Sequence, residues 1–130
     1  MHAVTELNSF RREALAAGMS DEEIDGLVDF IAWNPTAWIE IAGTGGCRKF
    51  RVAGKGKGKS GGYRTITFYT GNELPVFLIT VFAKGETTNL SKAERNGLLG
   101  LTKLLVTEYR RKVVKVKEDR DGKESIRQDR

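Results

Sequence analysis

The sequence predicts an α+β fold, a small antiparallel sheet with two helices before it and one after. Three observations carry that expectation. Ser20-Asp21-Glu22-Glu23 and Ser91-Lys92-Ala93-Glu94 are capping boxes, each opening a stretch with apolar residues at helical spacing. Cys47 to Val52 and Tyr63 to Tyr69 read as strands, and they flank a loop in which glycine alternates with lysine. Val76 to Ala83 (VFLITVFA) is almost continuously apolar, as a strand covered on both faces is.

Taken in order, His2 to Leu7 can form a short strand. Asn8 or Ser9 can cap a first helix through Ala17, with Phe10, Ala14 and Ala17 on one face and Gly18 as its stop. The second helix carries acids in its first turn, where the helix dipole favours them, then the stripe Ile24, Leu27, Val28 and Ile31. Asn34-Pro35 ends it, because the residue before proline is pushed out of the α region. A connector with Trp38, Ile39 and Ile41 follows and is expected to pack under the sheet. In the first hairpin strand, alternation puts Phe50 and Val52 on one face and Lys49 and Arg51 on the other. In the second, it puts Ile66 and Phe68 on the core side, with Arg64 on that side at the strand's start. The apolar run takes the centre of the sheet, with Pro75 at its first position. Leu98, Leu101, Leu105 and Tyr109 give the last helix a stripe facing the sheet. Residues 1–112 thus form one domain, and 113–130 a charged tail expected to be disordered or ordered only by a partner.

The chain has 130 residues, a formal charge of +5, 39% apolar and 30% charged residues, ordinary for a soluble domain with an acidic partner. No apolar run approaches the ~18 residues a membrane span needs, and no signal-peptide core is visible, so a cytoplasmic location is expected. The single cysteine, Cys47, excludes an internal disulfide and a cysteine zinc cage. The single histidine, His2, excludes a histidine-pair ribonuclease and leaves no basis for a metal centre. Gly58-Lys59-Ser60 ends like a phosphate-binding P-loop, but the first glycine of that motif falls on Ala53. Strand residues, rather than a helix, follow it. The acids Asp21, Glu22 and Asp25 read as capping and solvent-facing groups. No cofactor is expected.

Chemistry therefore concentrates on the hairpin. Arg48, Lys49, Arg51, Lys55, Lys57, Lys59 and Arg64 occur there without one intervening acid. Such a group attracts phosphate, and glycine between the lysines lets the backbone approach it. Cations on strands can bind RNA passively. They can also stabilise the charge that develops when a ribose 2′-hydroxyl attacks the adjacent phosphate. Composition alone leaves both readings open.

The run GTGGCRKFRVAGKGKGKSGGYR, followed by a strand pair and FAKGE, resembles the RelE/HigB family of bacterial type II toxin–antitoxin toxins. The lysine–glycine hairpin is similar to the HigB branch, and SDEEIDGLVDFIAWNP to the family's second helix. The likeness spans roughly Val4 to Tyr109. It implies a RelE-like fold and a ribosome-dependent endoribonuclease that cuts messenger RNA without a metal. Partners implied are the ribosome, mRNA and a cognate antitoxin, a helix-turn-helix HigA-like protein, with operator DNA met only through the antitoxin. Residue by residue, the family's strand cations fall on Lys49 and Arg51, its GYR arginine on Arg64 and the basic residue after the central strand on Lys84. Arg48, Lys55, Lys57 and Lys59 are expected to hold RNA. Gly85 and Leu90 stand where RelE has an arginine and a tyrosine. The related ParE toxins share the fold and attack gyrase, so fold alone leaves the target open.

Overall fold

The computed structural model describes residues 1–36, 38–52, 62–71, 73–83 and 90–128, with side chains as far as Arg111. Its elements are β1 (Val4–Glu6), α1 (Phe10–Ala16), α2 (Asp21–Trp33), β2 (Ile39–Glu40), β3 (Cys47–Val52), β4 (Tyr63–Phe68), β5 (Val76–Ala83) and α3 (Lys92–Gln128). The α+β class and the three helices are as the sequence predicts. The capping boxes form as written: the Ser20 hydroxyl accepts from Glu23 N while the Glu23 carboxylate accepts from Ser20 N, and Ser91 and Glu94 repeat the arrangement.

The sheet runs β1-β5-β4-β3-β2. Four strands are antiparallel, and β1 joins the outer edge of β5 in parallel, Val4 opposite Val76. That addition moves the centre. The apolar strand β5 is interior but second from the edge, and β4 is the middle strand. Nothing local in VTE encodes a pairing across some seventy residues, whereas β5 needs a neighbour on both sides to satisfy its buried backbone. The connector supplies the opposite edge, because Ile39 and Glu40 pair with Lys49 and Arg48.

Two cores sandwich the sheet. On one face α1 and α2 contribute Phe10, Ala14, Ile24, Leu27 and Ile31 against Tyr63, Val76, Leu78 and Val81, with Phe50 and Val52 at the margin. On the other, Leu98, Leu101, Leu105 and Tyr109 of α3 pack on Cys47, Ile66, Phe68, Phe77 and Ile79. Trp38 closes the first core: its ring stacks on Phe50 at 3.8 Å between centroids, and its indole N–H donates to Thr67 Oγ1 at 3.2 Å. His2 is held in place, with Nε2 at 2.8 Å from the Leu74 carbonyl and its ring edge-on to Tyr69. Ile39, expected beneath the sheet, is 69% exposed, because a two-residue edge strand turns it outward.

The turn before β3 fastens α3. Thr44 Oγ1 donates to Ile41 O at 2.7 Å and accepts from Cys47 N at 3.1 Å, and Thr102 Oγ1 lies 2.9 Å from Thr44 O. Gly45 and Gly46 take φ of +75° and +124°, which glycine alone adopts without strain. A β-carbon at Gly45 would stand 3.0 Å from Thr102 Oγ1, and one at Gly46 3.1 Å from the Phe68 ring. Both glycines are needed for conformation and for space. From there α3 runs through Gln128, across the stretch the sequence assigns to a charged tail.

Candidate functional site

The strand register decides which cations meet. In the β3–β4 pair, Lys49 lies opposite Ile66, Phe50 opposite Thr65 and Arg51 opposite Arg64. Residues directly opposite share a face, so Lys49 and Arg51 lie on the same side as Arg64, Ile66 and Phe68. The sequence, read with a single core, puts Arg64 on the face away from Lys49 and Arg51. The sheet instead has a core on each face, so Phe50 packs against one core and Ile66 is buried in the other while they point in opposite directions. Lys49, Arg51 and Arg64 therefore converge.

This face changes character along its length. Under α3 it is apolar, with Cys47, Phe68 and Phe77; toward the hairpin it becomes Lys49, Arg51 and Arg64. Directly opposed residues of an antiparallel pair have β-carbons about 5 Å apart, and like charges there are destabilising. Among the described residues, no ion pair or hydrogen bond relieves Lys49, Arg51 or Arg64. Arg51 is exposed and Lys49 and Arg64 are half-buried. Arg64 Nε is buried with no hydrogen-bond partner, a desolvated donor on a charged group. An anion is the species that would satisfy it.

Phe82 completes the cluster. It lies opposite Arg64 on β5, half-buried at the margin of the α3-side core. Sequence reasoning passes over it, because within VFLITVFA it looks like one more core residue. The available signal is the register: once β4 and β5 pair, their ends bring an aromatic ring beside an arginine.

The remaining candidates lie elsewhere. Arg48 sits on the α1/α2 face, where its Nη1 donates to Trp38 O at 3.1 Å and ties down the connector. Lys55, Lys57, Lys59 and Lys84 lie outside the described residues. Burial pushes the Cys47 thiol up to about 11, although a hydrogen bond with Thr44 opposes the shift. A thiol so placed is inert rather than nucleophilic. Among the described residues no cluster of three histidine, cysteine or carboxylate side chains could hold a metal, and no helix is long and apolar enough to cross a membrane.

A family model described as the RelE toxin of the RelE/RelB toxin–antitoxin system matches residues 4–124, nearly the whole chain. The protein belongs to the RelE toxin family, and that membership implies a cognate antitoxin.

Proposed function

We propose that this RelE-family toxin is an mRNA endoribonuclease working in the cytoplasm on the translating ribosome, and that the β3–β4 cation cluster is its active site. The observation carrying the reading is the Arg51–Arg64 opposition with Arg64 Nε desolvated and unpartnered. A fold that brings two like charges together on a sheet face, without an acid to relieve them, is less stable than one that separates them. A phosphate between them removes the repulsion.

In the reaction, the ribose 2′-hydroxyl loses its proton and attacks the adjacent phosphorus. The bond from phosphorus to the 5′-oxygen breaks, leaving a 2′,3′-cyclic phosphate and a 5′-hydroxyl. Negative charge builds on the non-bridging oxygens, where Arg64 and Arg51 donate hydrogen bonds that strengthen as the charge grows. Lys49, on the same face, binds the chain or moves a proton, and Lys84 acts as a further phosphate stabiliser. Phe82 offers an apolar surface for a base beside the scissile phosphate. The glycine–lysine hairpin, with Lys55, Lys57 and Lys59, holds ribosomal RNA, and its resemblance to the HigB branch favours a helix-turn-helix antitoxin.

Primer extension on a messenger RNA, incubated with purified protein with and without translating ribosomes, tests the reading. Cuts in register with codons and present only with ribosomes are expected. Intact messenger under both conditions, with protein that still arrests cells, would overturn it and direct attention to gyrase.

A further inference from the structure

The cation face continues onto the edge strand β2. Ile39 lies directly opposite Lys49 of β3, so it stands on the same face as Lys49, Arg51 and Arg64. Two neighbours fix that direction independently. Trp38, one residue back, turns to the other face and stacks on Phe50, and Ile41, two residues on, is buried in the α3-side core with Cys47. Ile39 belongs to neither core and is 69% exposed.

A single exposed isoleucine ordinarily calls for no explanation. Its place in the register sets this one apart. From β2 toward β5 the face reads Ile39, Lys49 and Ile66 in one row, and Arg51, Arg64 and Phe82 in the next. The cations thus have an apolar side chain on each flank, half-buried Phe82 beyond Arg64 and exposed Ile39 beyond Lys49. Single-stranded nucleic acid is met by this combination, cations along its backbone and apolar surface against its bases. Strand propensity accounts for a β-branched residue at position 39 but not for an apolar one, since threonine satisfies it as well.

We propose that Ile39 is an RNA-contacting residue, packing against a base of the strand whose phosphate lies between Arg51 and Arg64. The inference rests on the reading of that cluster as an RNA site and extends it across the sheet. Phe82 and Ile39 stand three strand spacings apart, roughly 14 Å, so they meet bases of different nucleotides. Ile39 has no polar side-chain atom, so its contact supplies affinity and position rather than base identity. Such a contact tolerates any base and is lost when the base is absent.

The test uses the full chain and ribosomes programmed with a defined messenger. Ile39→Thr keeps the branched β-carbon and removes the apolar end, whereas Ile39→Phe enlarges the apolar surface. Ile39→Thr is expected to melt with wild type and to raise KM about five-fold or more at unchanged kcat, the scale of losing a partly buried aliphatic contact. Ile39→Phe is expected to hold KM at or below the wild-type value. Messengers with a 2′-deoxyribose at the cleavage position report binding without cutting, and an abasic nucleotide is placed at one codon position at a time. At one position the missing base should weaken wild type and leave Ile39→Thr unchanged, as two changes to one contact do. A wild-type KM in Ile39→Thr would overturn the proposal and leave the nuclease reading standing. So would a fall in kcat alone, or a loss confined to binding of the antitoxin or of a second copy of the chain. If wild type binds the programmed ribosomes without cutting and Ile39→Thr still weakens that binding, the nuclease reading falls and the contact stands. Wild type that neither binds nor cuts would overturn both.

Discussion

Arg11 and Arg64 are both partly shielded arginines on the same small fold, and their surroundings are opposite. Arg11 reaches from α1 to Glu6 on β1 through Nε and Nη2 at 3.1 and 3.0 Å. It also reaches Asp21 and Asp25 on α2 at 2.9 and 3.0 Å. The hydrogen bonds to Glu6, then Asp25 and Asp21, raise its basicity well beyond the ordinary arginine range. Arg64 faces another arginine and leaves a buried Nε without an acceptor. One region uses positive charge to tie three elements together. The other sets two like charges opposite each other with no acid of the described fold to relieve them. Arg48 stands between the two: its Nη1 is used by the Trp38 carbonyl, while its buried Nε, like that of Arg64, has no acceptor.

The contrast can be broken at either end. Arg64→Ala should lower the single-turnover cleavage rate by about 100-fold or more, as expected for losing a donor to a developing oxyanion, with no fall in melting temperature. Full cleavage by that variant would remove Arg64 from the chemistry. Arg11→Ala should do the reverse. It leaves Glu6, Asp21 and Asp25 without their common cation, so urea denaturation should show lower stability, more so at low salt, with the cleavage rate of the folded fraction unchanged. Equal stability at low salt would show that the clamp contributes nothing.

A sharper test converts one region into the other. Arg51→Glu places a carboxylate opposite Arg64, and a favourable cross-strand charge pair contributes roughly 0.2–1 kcal/mol. The variant should be slightly more stable than wild type and should lose RNA binding. A loss of stability would mean that the two arginines are already apart in solution.

The smallest effect concerns Cys47. The folded state favours its protonated thiol, so that contribution is complete below about pH 9, the unfolded value. It is lost as pH rises through the folded value of about 11. A thiol reagent at pH 8 should label the native protein far more slowly than the urea-unfolded chain, and comparable labelling rates would contradict the burial.

Much of the fold is legible in sequence because the signals are local. Ser20 and Glu23 lie within one turn, so their reciprocal capping can be read from four letters, as it can for Ser91 and Glu94. Cys47–Val52 and Val76–Ala83 appear with the boundaries their patterning predicts, and Tyr63–Phe68 stops one residue short. The run of cations without an acid between Arg48 and Arg64 is equally plain in the sequence, since it needs no structure to be seen. The places of Phe82 beside Arg64 and of Arg64 opposite Arg51 were not legible. Each depends on which segments become neighbours, and no local pattern carries that information.

By itself, then, the sequence determined the class of the fold, the helix starts, the strand faces and the basic hairpin, all of which follow from backbone periodicity and short-range hydrogen bonding. Only tertiary structure decided that β1 joins β5 in parallel, that the sheet has a core on each side, and that Arg51 and Arg64 meet. The physical reason is register. Alternation fixes a side chain's face relative to its own strand, but only pairing across the sheet and packing of helices on both sides determine which faces coincide.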